Sequence, residues 1–136
     1  MQWKIDSTRK QILEDNSRYK VLVCGRRWGK TYFALLWLMG NDIKPYERRW
    51  FIFPTYRQAK MVAWGIMKRI FRGTNAKINE SELSVTLSNN AKIALKGAAN
   101  EDSPRGVSLN ACVLDEYAFM KPNVWGEIVQ PMLAET

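Results

Sequence analysis

The stretch Val21-Leu22-Val23-Cys24-Gly25-Arg26-Arg27-Trp28-Gly29-Lys30-Thr31 decides how this chain is read. Residues 19–24 form a short apolar, β-branched run of the kind that makes a buried parallel strand. A turn over Gly25 and Gly29 follows, and residues 31–39 carry helix formers and aromatics up to a stop at Gly40-Asn41. Strand, glycine turn and helix start together aim several backbone N–H groups at one spot, which suits a polyphosphate. In that geometry Lys30 reaches the β/γ-phosphates and the Thr31 hydroxyl ligates the Mg²⁺ that bridges them. The usual pattern is G-x-x-x-x-G-K-[ST]; here Cys24 holds the first glycine position and Gly25 comes one place later. Gly-Lys-Thr is a common tripeptide. The reading therefore rests on the strand before it, the helix after it, and the cations Arg26, Arg27 and Lys30 inside the turn.

The 136 residues read as one domain, and 46% hydrophobic content supports a packed core. No stretch approaches the ~18 consecutive apolar residues of a membrane span. The charged residues 1–10 lack a signal-peptide core, so a soluble intracellular protein without a membrane partner is expected. The two cysteines, Cys24 and Cys112, sit at or in predicted buried strands and read as core residues in a reducing compartment. With no histidine in the chain, imidazole catalysis and the common zinc sites are excluded. A net charge of +8 and a pI near 9.7 suit a partner rich in phosphates, nucleic acid above all.

Periodicity predicts an amphipathic helix over 7–16, then the phosphate-loop strand and the helix over 31–39. A charged loop over 44–49 leads to a buried strand at 50–53, stopped by Pro54. A helix over 57–71 follows, with Ala59, Val62, Ala63, Ile66 and Ile70 as an apolar stripe. Leu83, Val85 and Leu87 alternate, Asn89-Asn90 turns, and Ile93 and Leu95 alternate again, which is a β-hairpin signal. Residues 111–114 make another buried strand, and 123–133 hold a helix interrupted by Pro131. Strands alternating with helices predict an α/β domain: a mostly parallel sheet flanked by helices, plus one β-hairpin.

The second chemical signal is Ala111-Cys112-Val113-Leu114-Asp115-Glu116. A buried strand delivers two carboxylates at its C-terminal edge, where open α/β sheets bind ligands. Beside a phosphate loop, Asp115 orients the Mg²⁺ shell and Glu116 polarises the attacking water. Successive strand residues point in opposite directions, so the two carboxylates are expected to serve metal and water separately. Trp37, Trp50 and Trp64 lie in predicted elements and read as core, whereas Trp28 lies in the loop. Tyr56, Arg57 and Lys60 after Pro54, and Lys68, Arg69, Arg72 and Lys77, are basic clusters that read either as solvated surface or as phosphate contacts.

Cys24–Thr31 resembles the variant Walker A loop of tailed-phage terminase large subunits, and Phe53-Pro54-Thr55-Tyr56-Arg57-Gln58-Ala59-Lys60 is similar to the segment after their second strand. Arg105-Gly106, shortly before Val113-Leu114-Asp115-Glu116-Tyr117-Ala118-Phe119, completes a likeness running from about Gln11 to Leu133. The resemblance implies a RecA-like/ASCE P-loop NTPase domain over 1–136 that hydrolyses ATP with Mg²⁺ to drive viral double-stranded DNA into a procapsid. It implies that Gly25, Arg26, Arg27, Trp28, Gly29, Lys30 and Thr31 hold nucleotide, with Arg26 the extra Walker A arginine. Gln11 is placed like a reader of the adenine edge, and Arg105 like an arginine finger supplied to a neighbouring subunit.

The implied partners are DNA, other copies of the chain in a ring, a portal protein and a terminase small subunit. The implied location is the host bacterial cytoplasm, transiently at the procapsid portal vertex. In the family, a coupling-motif strand, a lid and a nuclease follow. The sequence stops before them, which implies a gap in the sheet between the phosphate-loop and Walker B strands, and so either marginal stability or a gap filled from elsewhere. Two alternatives stay open: a helicase-like, nucleic-acid-stimulated ATPase, and a nucleotide- or DNA-binding fragment without turnover.

Overall fold

The computed structural model describes residues 30–40, 43–98, 108–116, 120, 124 and 129–134. The predicted helix over 7–16 and strand over 19–24 lie outside them. Helix α1 (Lys30–Met39) buries Phe33, Leu35 and Leu38. It stops at Gly40, whose φ of +52° is the left-handed conformation that glycine takes without penalty and whose N–H donates to the Leu36 carbonyl at 3.1 Å.

Strand β1 (Arg48–Phe53) starts earlier than predicted and takes in two residues of the expected charged loop. Arg49 explains the difference. Its Nη1 donates to the carbonyls of Leu38 (2.7 Å) and Met39 (3.2 Å), and its Nη2 pairs with Glu47 at 2.8 Å. A guanidinium on the last carbonyls of a helix satisfies orphan acceptors and offsets the helix dipole. The charge read as a loop signal is thus spent on capping α1. The rest of β1 is buried on both faces. Phe51 and Phe53 stack with ring centroids 4.6 Å apart inside one core, with Leu35, Leu38, Ala63 and Leu95, while Trp50 and Ile52 face a second core with Leu109, Met120, Val124 and Val129. Cover on both faces is why the run is continuously apolar rather than alternating.

After Pro54, the Thr55 hydroxyl caps a helical rod by accepting the Gln58 N–H at 3.2 Å. The rod comprises α2 (Tyr56–Ala59), a π-helical turn (Lys60–Trp64) and α3 (Gly65–Phe71). The π turn shifts the apolar register by one residue. Ala59 and Ala63 are buried as predicted, but Val62 is 45% exposed and Trp64 and Met67 take the inner positions. The shift brings the Trp64 Nε1–H onto the Glu80 carboxylate at 2.7 Å.

Strands β2 (Lys77–Asn79), β3 (Ser84–Thr86), β4 (Lys92–Gly97) and β5 (Ala111–Leu114) complete a five-stranded sheet of order β2-β3-β4-β1-β5. β1 pairs in parallel with both β4 and β5, and the pairs β2–β3 and β3–β4 are antiparallel. The sheet is therefore mixed, where a mostly parallel one was expected. The predicted hairpin is present as β3–β4, closed over Asn90 at φ +71° with its N–H on the Leu87 carbonyl at 2.9 Å. A third antiparallel strand, β2, joins it. Its three residues are all exposed, so they carry none of the alternation that would announce a strand. Helix α4 (Gln130–Ala134) carries Pro131 as its second residue, in the first turn, where proline is tolerated.

Candidate functional site

The C-terminal ends of β4, β1 and β5 form one edge, and the ladder continues past the strands. Ala98 N–H donates to the Phe53 carbonyl at 2.7 Å, and Asp115 N–H to the Ile52 carbonyl at 2.9 Å. At this edge a Cβ on Gly97 would lie 2.3 Å from the Tyr56 nitrogen, so β4 and the start of α2 approach as closely as only glycine allows.

Asp115 is fixed by that last ladder bond, and its Oδ1 accepts the N–H of Glu116 at 2.8 Å. Glu116 itself has φ +56°, a left-handed backbone uncommon for a residue with a side chain and typical of constrained sites. The kink overturns the expectation that the two carboxylates diverge. Lys30 Nζ, on the first turn of α1, lies 3.5 Å from Asp115 Oδ1 and 3.4 Å from Glu116 Oε1. In a straight strand, consecutive side chains take opposite faces; left-handed backbone at Glu116 lets both meet one ammonium. The Asp115 side chain is 14% exposed and that of Glu116 40%, so one carboxylate is seated in the edge and the other reaches into the open. The Asp115 charge, with that of Glu116 behind it, holds the Lys30 ammonium above its ordinary pKa, outweighing the desolvation that opposes it.

Of the residues singled out in the sequence, Lys30, Asp115 and Glu116 thus converge, and Thr31 follows Lys30 in α1, half-buried. Gln11, Gly25, Arg26, Arg27, Trp28, Gly29 and Arg105 lie outside the described residues, as does Cys24. Trp50 and Trp64 are buried and Trp37 packs partly buried against the core, as read. Burial pushes the thiol of Cys112, which packs partly buried against the second core, up to about 12. Lys68 is drawn into an ion pair with Glu80 at 3.2 Å, while Arg57, Lys60, Arg69, Arg72 and Lys77 are exposed.

Among the described residues no group of three or more acidic, histidine or cysteine side chains forms a cage. Two neighbouring carboxylates, already gathered around a cation, suit an ion that keeps several waters and borrows phosphate oxygens from its substrate. The sequence held no sign of the left-handed conformation at Glu116, because that position carries no glycine or asparagine.

Comparison with known proteins gives the family of the chain. The N-terminal family of T4-like terminase large subunits matches residues 21–129. The terminase large subunit of Thermus virus P23-45 is 25% identical over 144 residues, covering 90% of this chain and 30% of that protein. The chain therefore spans about a third of the relatives it matches. Among solved structures, the large terminase ATPase domain of Thermus phage P74-26 superposes with a TM-score of 0.79 at 24% identity, over 98% of this chain and 61% of that one. The large terminase of the thermophilic bacteriophage D6E in complex with ATP-γ-S gives a TM-score of 0.60 at 20% identity, covering 79% of this chain and 28% of that one. These likenesses establish the α/β fold with its helix-flanked sheet.

Proposed function

The chain belongs to the N-terminal family of T4-like terminase large subunits, and from that premise we propose that it is the ATP-hydrolysing, RecA-like part of a motor that drives viral double-stranded DNA into a procapsid. The observation that carries the proposal is the meeting of Lys30 with Asp115 and Glu116 at the carboxyl edge of the sheet. A phosphate-binding lysine and a tandem carboxylate at that edge are the parts phosphoryl transfer needs.

In this reading Lys30, with Gly25, Arg26, Arg27, Trp28 and Gly29, holds the nucleotide phosphates. Gln11 reads the adenine edge. Thr31 and Asp115 would hold Mg²⁺, which would neutralise charge on the nucleotide phosphates. Glu116, the more exposed carboxylate, takes a proton from the attacking water. Arg105 serves a neighbouring copy as arginine finger, so turnover rises steeply with protein concentration. Double-stranded DNA, sibling subunits, a portal protein and a terminase small subunit are the partners, met in the host cytoplasm at the portal vertex. The exposed Arg57 and Lys60, on the first turns after β1, suit DNA phosphates.

The test is turnover at high protein concentration, with and without duplex DNA. Lys30→Ala and Glu116→Ala each lose turnover, the latter by about 10²–10⁴-fold if it removes a general base, while Glu116→Ala still binds a fluorescent ATP analogue. Turnover of Glu116→Ala at the wild-type rate removes the assignment. Separation of duplex strands during hydrolysis would mark a helicase instead.

A further inference from the structure

The outer face of the helical rod carries Met61, which is 74% exposed, Val62 at 45%, and the exposed Gly65. Arg57 and Lys60 stand exposed at one end of this strip, and Arg69 and Arg72 at the other. We propose that the strip, centred on Gly65, is a docking surface for an acidic amphipathic helix of a protein partner. It uses none of the residues assigned to nucleotide or metal.

Gly65 is the first reason. Its φ of −62° and ψ of −39° are ordinary helical values, so no turn or left-handed conformation requires glycine there. A Cβ at that position would meet nothing within 4 Å, so no packing inside the chain requires it either. Glycine is nevertheless the poorest helix former after proline, and it stands between the π turn and α3 in the middle of the rod. What it offers is a notch open to the outside, between Met61 one turn before and Arg69 one turn after, where the side-chain ridge of a second helix fits. The exposed apolar side chains are the second reason. An unbroken α-helix would keep Val62 on the buried stripe; the π turn, tied by the Trp64 bond to Glu80, turns it outward beside Met61. Such turns are rare and often mark functional sites. Charge then defines the partner. No aspartate or glutamate occurs from Thr55 to Asn79, so the cations at the two ends of the strip have no acidic neighbour on their own element. An apolar centre with a charged rim is the anatomy of a protein interface, where methionine and arginine are enriched. Duplex DNA asks for donors along its phosphates and gains little from Met61 and Val62 between them.

The probe is a fluorescent helical peptide of about five turns, with leucine on one face and glutamate elsewhere, titrated by anisotropy against the 136-residue chain. The wild type binds it saturably and more weakly as salt rises. Gly65→Leu, which fills the notch, and Met61→Glu, which puts a like charge against the peptide, each weaken binding by about tenfold or more. Gly65→Ala also weakens it, yet raises the midpoint of thermal unfolding by a few degrees, because the methyl meets nothing and alanine favours the helix. A lower midpoint for Gly65→Ala would give the glycine a role inside the fold and overturn the inference. No saturable binding to the wild type overturns it, as does binding that Gly65→Leu and Met61→Glu leave unchanged. If those two variants instead weaken binding of a duplex oligonucleotide and spare the peptide, the face belongs to DNA. If they dissolve a dimer of the wild type seen by sedimentation, it belongs to a second copy of the chain. Either result replaces the acidic helix. Circular dichroism checks each variant, and two unrelated substitutions keep the test decisive if one misfolds. ATP turnover is not read, so the outcome is separate from that of the site at the carboxyl edge.

Discussion

The two ends of the sheet use charge in opposite ways. At the antiparallel end, β2 to β4, each acidic residue is matched locally: Glu82 with Lys92 at 2.6 Å, and Glu80 with Lys68 at 3.2 Å and the Trp64 indole at 2.7 Å. At the parallel end, β4 to β5, the interior is apolar on both faces, Arg49 and Glu47 pair at the start of β1, and two carboxylates stand at the carboxyl edge. There Asp115 and Glu116 share a single lysine from a distant helix. The pairs of the antiparallel end join residues ten to twelve positions apart at the exposed margin of β2 and β3. Two carboxylates sharing one lysine instead gather charge at the half-exposed carboxyl edge. Parallel strands make this separation possible because all of them end on the same side.

If that contrast is right, stability resides in the packing of the parallel end and little of it in the salt bridges of the other. The largest expected effect is Phe51→Ala, which removes a fully buried ring stacked on Phe53 and should cost about 3–5 kcal/mol in urea unfolding. A loss under 1 kcal/mol would break the comparison. Next is Gly97→Ala at the junction of the two ends. The new methyl meets the Tyr56 backbone at 2.3 Å, and the strain is expected to cost ~1–3 kcal/mol, read by the same unfolding curve.

The smallest is Glu82→Gln. Its pair with Lys92 is half-exposed, so about 0.2–1 kcal/mol is expected at neutral pH. Hydrogen bonds from Lys92 and Ser84 hold the Glu82 carboxyl below its ordinary 4.5. A lowered pKa in the folded state means the contribution is present above 4.5 and fades as pH falls through the lower folded value. The wild type and Glu82→Gln should therefore converge in stability in acid. A gap that widens there would reverse the sign of the argument.

Much of this architecture was legible in the sequence because it is written locally. The strand at 111–114, the helix at 31–39 with its glycine stop, the hairpin and the long helix after Pro54 follow from runs, caps and turn residues within a few positions of each other. The misreadings share a cause. Arg49 looked like loop because its charge was visible and its partners, the carbonyls at the end of α1, were not. Val62 looked buried because helical spacing assumes an unbroken α-helix, and the π turn that exposes it answers to Glu80 in the β2–β3 turn. β2 went unseen because a strand of three exposed residues has no pattern to show.

By itself the sequence determined which residues could do chemistry: a lysine and threonine opening a helix, and two carboxylates closing a short apolar strand. Residue type and local spacing set such things. Only the tertiary structure decided that Lys30 and Glu116, 86 positions apart, touch, that the sheet is mixed, and that both carboxylates turn to one ammonium. The reason is physical. Long-range pairing is fixed by the burial of two whole faces of a sheet, and the left-handed backbone at Glu116 is held by the bonds around it rather than by any preference of glutamate.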